Sequence, residues 1–169
     1  MKRQIGLPIS IIVCISILVI PIALLIPERI RSTPKWYYYI EPGILMASEE
    51  IEIADITYTL ETYMWRDFMP ISPPDGKPLI VIIRVHAVGM DDFYLSMIIE
   101  RLWLIDVLNI VSTQSSEEYR VNGNTFEIVF RDGPKWGPGI FIDVVVKLVS
   151  EDFGIYYLKA VNQLIHATW

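Results

Sequence analysis

Side chains that could do acid–base or metal chemistry are few and widely spaced in this sequence. There are two histidines, His86 and His166, and one cysteine, Cys14. His86 shares a predicted strand face with Arg84, whose positive charge disfavours metal binding, so we interpret it as a partly exposed structural histidine. His166 lies three residues before the last residue, where fraying disfavours a precise site. We therefore expect no catalytic site, no metal site and no cofactor.

Sequence motifs for catalysis or nucleotide binding are also missing. The chain contains no phosphate loop, no dinucleotide fingerprint, no G-x-S-x-G elbow and no C-x-x-C-H haem motif. Asp91-Asp92 has no D-x-D-x-D-G loop around it, which favours a turn or a helix cap over a cation site. Catalytic groups can converge from distant positions, but we do not expect an enzyme.

Large aromatic side chains are the better candidates for function. Trp65 and Phe68 lie in one predicted loop rich in Pro and Gly, and Trp136 lies in another. Aromatic residues on loops are enriched at binding hot spots. Phe141 and Tyr157 are predicted on an outer sheet face that they leave half apolar, which favours cover by a partner. These five residues are the candidate partner contacts. The alternative for Trp65 and Trp136 is that they fold back and plug the ends of the domain.

Period-two alternation from residue 49 onward predicts the elements that position these side chains. Asn122-Gly123 is a strong hairpin signal, because a type I′ turn needs positive φ at both central positions. Residues 64–78 are predicted as a loop. Short strands divided by Gly and Pro turns predict a mainly β domain, an antiparallel β-sandwich, over residues 49–169. The predicted strands include 52–61, 79–88, 117–121, 124–130, 140–148 and 155–162.

The clearest of these strands has one continuous apolar side. Asp143 and Lys147 point to its other side, so truncating Lys147 is expected to change stability by roughly a few tenths of a kcal/mol at most. A charge placed in the apolar row would be severely destabilising. The inward row is Ile140, Ile142, Val144, Val146 and Leu148.

Residues 137–160 (GPGIFIDVVVKLVSEDFGIYYLKA) have a Pro-Gly corner, an alternating strand, an acidic-Gly turn and a return strand. This segment resembles the penultimate hairpin of immunoglobulin-like domains on prokaryotic surface proteins. The resemblance implies an immunoglobulin-like sandwich and carries no functional residues. Residues 92–107 fit neither period. They are either the third strand with Trp103 buried, as in such folds, or a short helix capped by Asp91 or Asp92; we favour the strand.

The longest uncharged stretch is 5–27, twenty-three residues without one charged side chain. A helix of that length spans the ~30 Å hydrocarbon layer. We predict an uncleaved signal-anchor after a short head, residues 1–4; the alternative is a cleaved secretory signal. Lys and Arg nearly balance across the run and leave the orientation open. The short head and the aromatic cluster 36–39 favour a C-terminal domain outside the cytoplasm, held at the cell membrane.

Charge and linker composition complete the expected organisation. Residues 28–48 are predicted as a juxtamembrane tether, because Pro34, Pro42 and Gly43 break regular structure. Residues 36–169 carry nine Lys or Arg and nineteen Asp or Glu, which disfavours nucleic-acid binding.

Together these features predict a non-catalytic single-pass membrane protein, held in the lipid bilayer through residues 5–27. We expect a structural or accessory subunit of a larger complex, with other membrane protein subunits as its partners. The alternative is a membrane-anchored extracytoplasmic binding module that uses the aromatic loops.

Overall fold

The computed structural model describes residues 36–93, 96–114 and 119–169. Within these ranges the chain is mainly β, as predicted, with nine strands and one short 3₁₀ turn. No helix in the described part of the chain is long and apolar enough to cross a membrane. The predicted head 1–4, the predicted transmembrane run 5–27 and the first part of the tether, 28–35, lie outside the described residues.

The nine strands form one curled sheet in the order β5-β4-β8-β9-β2-β3-β7-β6, with β1 paired to β2. All pairs are antiparallel except β2 and β9, which run parallel. We call β6, β7, β3 and β2 the β3 half, and β5, β4, β8 and β9 the β8 half. The strands are β1 (Glu50–Ile53), β2 (Ile56–Asp67), β3 (Leu79–Ala87), β4 (Met97–Asp106), β5 (Asn109–Gln114), β6 (Tyr119–Asn122), β7 (Thr125–Gly133), β8 (Phe141–Ser150) and β9 (Gly154–Thr168).

One hydrophobic core receives side chains from both halves of the sheet. The predicted inward row of β8 is confirmed for its four residues within the strand, which are all buried in this core. Ile140 precedes the strand and packs half-buried against the same core. The alternation predicted for β3 is confirmed too, because Val81, Ile83, Val85 and Ala87 are all buried. Period two therefore identified the core face on both sides.

The single strand predicted over 52–61 is instead a hairpin. Ala54 and Asp55 form the turn between β1 and β2, with φ of 52° and 62°. Two non-glycine residues in the left-handed region give no Gly or Asn signal that sequence reasoning could use. Period-two alternation still holds within β2, since Tyr58 is buried in the core and Leu60 packs against it.

The hairpin predicted at Asn122-Gly123 is confirmed, but its turn lies one residue later. Asn122 pairs with Thr125, so Gly123 and Asn124 are the two turn residues. Gly123 has φ of +54° and Asn124 is not in the left-handed region. Positive φ at the first central residue alone is the pattern of a type II′ turn, which places glycine first.

Strand β4 confirms the strand interpretation of this part of 92–107. Its pairing with β8 shifts between Ile99 and Arg101, so Glu100 is an extra, bulged residue. A bulge re-aims the side chains on either side of it. Here it leaves Glu100 and Arg101 both directed to the outer face, the face opposite the core.

Candidate interaction surface

Residues 36–48, which we call the strap, cross the outer face of the β8 half. Tyr37 exchanges two backbone hydrogen bonds with Ser112 of β5, at 2.9 and 2.8 Å. At the other end, Ser48 N donates to the Tyr157 carbonyl at 3.2 Å and Lys159 N donates to the Ser48 carbonyl at 2.8 Å. The strap thus begins on one edge of this half and ends on β9. This part of the predicted tether lies directly on the β domain.

The middle of the strap is a 3₁₀ turn, Pro42–Met46, that presses on β9. Proline at the first position suits a turn start, because its missing N–H would have no partner there. A side chain at Gly43 would overlap the ring of Tyr157. Glycine is therefore required here for close approach.

Trp103 is fully buried, as predicted, but not in the core. Its side chain lies on the outer face of β4, beneath the strap, and Nε1 donates to the Tyr39 carbonyl at 2.8 Å. Val145, directly across on β8, is buried in the same way. The strap, a segment of the same chain, covers this part of the outer face, where the sequence favoured cover by a partner.

Arg101 is held among the aromatic rings of the strap. Its guanidinium carbon lies 5.3 Å from the ring centre of Tyr37 and 4.7 Å from that of Tyr39. One guanidinium nitrogen also donates to the Tyr37 hydroxyl. Arginine in such positions gains from cation–π attraction as its charge loses water. Its burial under the strap was not visible in the sequence.

A second cation, Lys147, is enclosed by two carboxylates beneath the strap. Lys147 Nζ lies 3.0 Å from Glu41 Oε1 of the strap and 3.1 Å from Glu100 Oε2 of the bulge. The Tyr157 hydroxyl donates a hydrogen bond to Glu41 Oε1 at 2.7 Å. The Lys147 side chain is only 11% exposed. Lys147 points outward as predicted, but the strap covers it, so truncating it is expected to cost more than the sequence suggested.

This cluster shifts the pKa values of its members. The hydrogen bond from Tyr157 lowers the pKa of Glu41 below its usual value, with Lys147 adding to the effect. Burial, together with the bond to Glu41, raises the pKa of Tyr157 to about 12. Burial disfavours the charge on Lys147, but its bonds to Glu41 and Glu100 outweigh this and raise its pKa. The charged carboxylate, neutral phenol and charged amine are thus the stable forms.

The outward side of the strap is apolar and exposed. Tyr38, Ile40, Leu45 and Met46 all point into solvent, and Leu45 is 89% exposed. They lie within thirteen residues whose only charged side chain, Glu41, is paired inward. Such a concentration of exposed apolar side chains on one short segment is typical of a contact surface.

The predicted loop aromatics surround a buried arginine at one end of the domain. Arg66, 4% exposed, donates to four backbone carbonyls, those of Asp75, Lys77, Lys135 and Trp136. These carbonyls belong to the two loops that precede β3 and β8. Arg66 therefore ties the loops together, and no motif in the sequence marked it for that role.

Three of the candidate contacts lie around Arg66. Trp65 is in strand β2, not in a loop as predicted; it is half-buried, and its ring lies 5.5 Å from that of Tyr63. Phe68 is half-buried, packs against the Arg66 guanidinium and stacks on Trp169 at 5.0 Å. Trp136 packs half-buried against the core. The Trp65 and Phe68 rings thus pack against different neighbours, and all three rings are partly covered.

The other two candidates lie apart on the β8 half. Phe141 is at the start of β8, mostly exposed, opposite Leu164 of β9. Tyr157 is half-buried against Gly43 and Glu41, so its hydroxyl is already used by the strap. The five candidates do not form one patch. Sequence reasoning missed the strap itself, although the aromatic cluster at 36–39 was its signal.

Charged side chains lie uncovered on the outer face of the β3 half. Arg84 donates to Glu127 at 2.8 Å and to Glu61 at 3.1 Å. His86 is hydrogen-bonded through both ring nitrogens, to Thr125 Oγ1 and Glu61 Oε2, each at 2.9 Å. In the described residues no three His, Cys, Asp or Glu side chains are grouped as a metal site would require. A groove of about 370 Å³ is lined by Arg84, His86, Arg120, Asn122, Thr125 and Glu127.

No protein-family model, no curated protein and no solved structure matches this chain. The strap and the surface it presents are therefore interpreted from their own contacts and chemistry.

Proposed function

We propose that this chain is a non-catalytic, single-pass membrane protein that serves as a structural or accessory subunit of a larger membrane complex. In this proposal residues 5–27 cross the cell membrane as an uncleaved anchor and pack against helices of partner subunits. Small residues in that run, Gly6, Ser10, Ser16 and Ala23, suit close helix packing. The β domain, outside the cytoplasm, braces the soluble face of the partner.

We further propose that the β domain is an immunoglobulin-like sandwich. In such folds one sheet has the strand order A-B-E-D and the other contains C, F and G. Assigning β2 to β9 in chain order as A, B, C, C′, D, E, F and G reproduces both orders, with the β3 half as A-B-E-D and the β8 half as C′-C-F-G. The parallel pairing of β2 with β9 is then the contact between A and G.

The observation that carries the subunit proposal is the attachment of the strap. Only eight residues, 28–35, separate the uncharged run from Trp36, where the chain already contacts the domain. Trp36 Nε1 donates to the Arg131 carbonyl at 3.0 Å, and Tyr37 pairs with β5. So short a connection limits how far the domain can move from the proposed anchor, which suits bracing. A surface module that searches for ligand gains from a longer free linker.

The alternative, a binding module that uses aromatic loops, has weaker support. Trp65, Phe68 and Trp136 are all half-buried, and Arg66 holds the loops that carry two of them. Hot-spot aromatics are expected to present their rings to a partner. Part of the surface of each of these rings is instead buried by contacts within the domain.

The decisive experiment compares the native chain with a variant that carries a flexible Gly/Ser insertion of about twelve residues between Lys35 and Trp36. Both are produced in membranes, washed with alkaline carbonate, solubilised in mild detergent and sized. The proposal expects both chains to resist carbonate and the native chain to elute as a large assembly. It expects the insertion to reduce recovery of that assembly, because the brace is no longer fixed.

The matched control carries the same insertion between Asp152 and Phe153, in the exposed turn between β8 and β9. This control should retain the assembly. A native chain that elutes as a lone monomer would favour the binding module, and release by carbonate would refute the membrane anchor itself.

A further inference from the structure

The strap presents a surface whose occupant can be inferred from the chain that precedes it. Its outward side chains are Tyr38, Ile40, Leu45 and Met46, all exposed. Its inward groups hold it to the β8 half through Tyr37, Glu41 and Ser48. The outward apolar set is thus displayed by a fixed segment, and its exposure does not come from a loose chain.

Chain length limits where this surface can lie. At the maximum extension of about 3.3–3.6 Å per residue, the eight residues 28–35 reach less than about 30 Å. The headgroup region begins at the edge of the hydrocarbon layer, where the anchor would end, and adds roughly 5–8 Å on each side. If residues 5–27 cross the bilayer as proposed, the strap is the first described segment that follows them along the chain. No other described surface is as close along the chain.

Charge and side-chain type favour lipid over water or a charged partner. Residues 28–35 carry three basic side chains and one acidic one, which suits the vicinity of headgroups. Within the strap the one carboxylate, Glu41, is paired with Lys147. The strap surface is therefore uncharged although the domain as a whole is acidic. Tyrosine with aliphatic side chains is the composition found at membrane interfaces.

We propose that the strap rests in the bilayer interface, with Tyr38, Ile40, Leu45 and Met46 inserted among the lipid headgroups. The inference depends on the membrane anchor of the proposed function and goes beyond it by fixing which face of the domain meets the lipid. The covered face of the β8 half is turned toward the membrane. The groove on the β3 half stays in water.

The test uses single cysteines that carry an environment-sensitive fluorophore in the full chain. Cys14→Ser removes the native cysteine, and Leu45→Cys places the probe on the strap. Leu108→Cys, in the turn between β4 and β5, is the matched control, since Leu45 and Leu108 are 89% and 87% exposed. Each labelled chain is reconstituted alone in phosphatidylcholine vesicles with headgroup-level lipid quenchers, and retention is checked by alkaline flotation.

The expected result is retention of both chains, with quenching at Leu45 at least about two-fold stronger than at Leu108. If both chains are retained and the probes are quenched equally little, the interfacial proposal is wrong while the anchor stands. A Leu45 probe that is unquenched in these vesicles but shielded in native membranes would show a protein cover, which also overturns it. If the chains leave the vesicles, the anchor fails and the interfacial proposal falls with it.

Discussion

The two outer faces of the sheet hold the same arrangement of charges in different surroundings. On the β3 half, Arg84 lies between Glu61 and Glu127, and its side chain is 32% exposed. On the β8 half, Lys147 lies between Glu41 and Glu100 and is 11% exposed. The difference is the strap, which covers one face and not the other. The contribution of such a cation to the free energy of unfolding therefore depends on how completely the surrounding chain excludes water from it.

The largest effect is expected from removing the side chain that the strap covers most completely. Trp103→Ala should lower the free energy of unfolding by about 3–5 kcal/mol, since it leaves a cavity and an unpaired Tyr39 carbonyl. Tyr63→Ala, on the outer face of β2, should lower it by less than about 1 kcal/mol because Tyr63 is exposed. Urea unfolding of the two variants measures both values. Equal losses would mean that the strap does not seal its face.

The two cation clusters give the next comparison. Lys147→Ala removes the covered cation that pairs with Glu41 and Glu100 and should lower the free energy of unfolding by about 2 kcal/mol. Arg84→Ala, in the open cluster, should lower it by less than about 1 kcal/mol. The same contrast should appear in salt: added salt weakens the open cluster more than the covered one. Thermal unfolding at low and high ionic strength measures both, and a reversed order would contradict the burial of Lys147.

The free energy of unfolding should decrease at alkaline pH, where Tyr157 beneath the strap ionises. Since the pKa of Tyr157 is raised from 10.0 to about 12, its contribution to stability is complete below pH 10 and is lost as the pH rises through about 12. Tyr157→Phe should reduce that loss, because no phenol remains to ionise beside Glu41. Unfolding measured between pH 9 and about pH 12 tests this. An unchanged alkaline decrease in the variant would assign the loss to other groups.

The free energy of unfolding should also decrease at acid pH, where Glu41 becomes protonated. The pKa of Glu41 is lowered below its usual 4.5, so its contribution is present above that pH and is lost as the pH falls through the lowered value. Glu41→Gln should flatten this decrease. Glu61, whose pKa His86 lowers in the open cluster, supplies the control, since Glu61→Gln should flatten it less because its side chain is half-exposed.

The smallest expected effect comes from a change in the turn between β1 and β2, away from both charged clusters. Ala54→Asn combined with Asp55→Gly places the preferred residues in the left-handed turn between β1 and β2. The double variant should gain about 1 kcal/mol, because non-glycine residues are strained at positive φ. Chemical denaturation measures it. A loss of stability would show that these side chains make contacts that outweigh the turn strain.

Local patterns were sufficient to predict the core face of β8 and the β6–β7 hairpin. The row from Ile142 to Leu148 alternates with period two, and an isolated strand already divides such residues between its two sides. The β6–β7 hairpin could be predicted because glycine is required where φ is positive. The Ala54-Asp55 turn could not, because nothing about these two residue types demands a turn. The extension of β2 through Trp65 and Arg66 could not be predicted either, because these residue types do not by themselves demand a strand.

The candidate site was only partly visible in the sequence. The half-apolar outer face predicted from Phe141 and Tyr157 indicated a cover, but a segment of the same chain, and not a partner, buries Val145 there. What covers it could not be predicted, because the cover comes from residues 36–48, about a hundred positions away along the chain. Contacts at such separations depend on how the sheet brings strands together, which no local period encodes.

The amino-acid sequence by itself determined the mainly β class, the inward row of β8 and the uncharged run that motivates the anchor. These properties follow from side-chain alternation, turn preferences and the hydrophobicity of successive residues, which act over a few positions. Only the tertiary structure decided that Trp103 lies under the strap, that Lys147 is enclosed between carboxylates and that Arg66 joins two loops. The physical reason is that alternation assigns a side chain to a face, whereas burial depends on what else in the chain packs over that face.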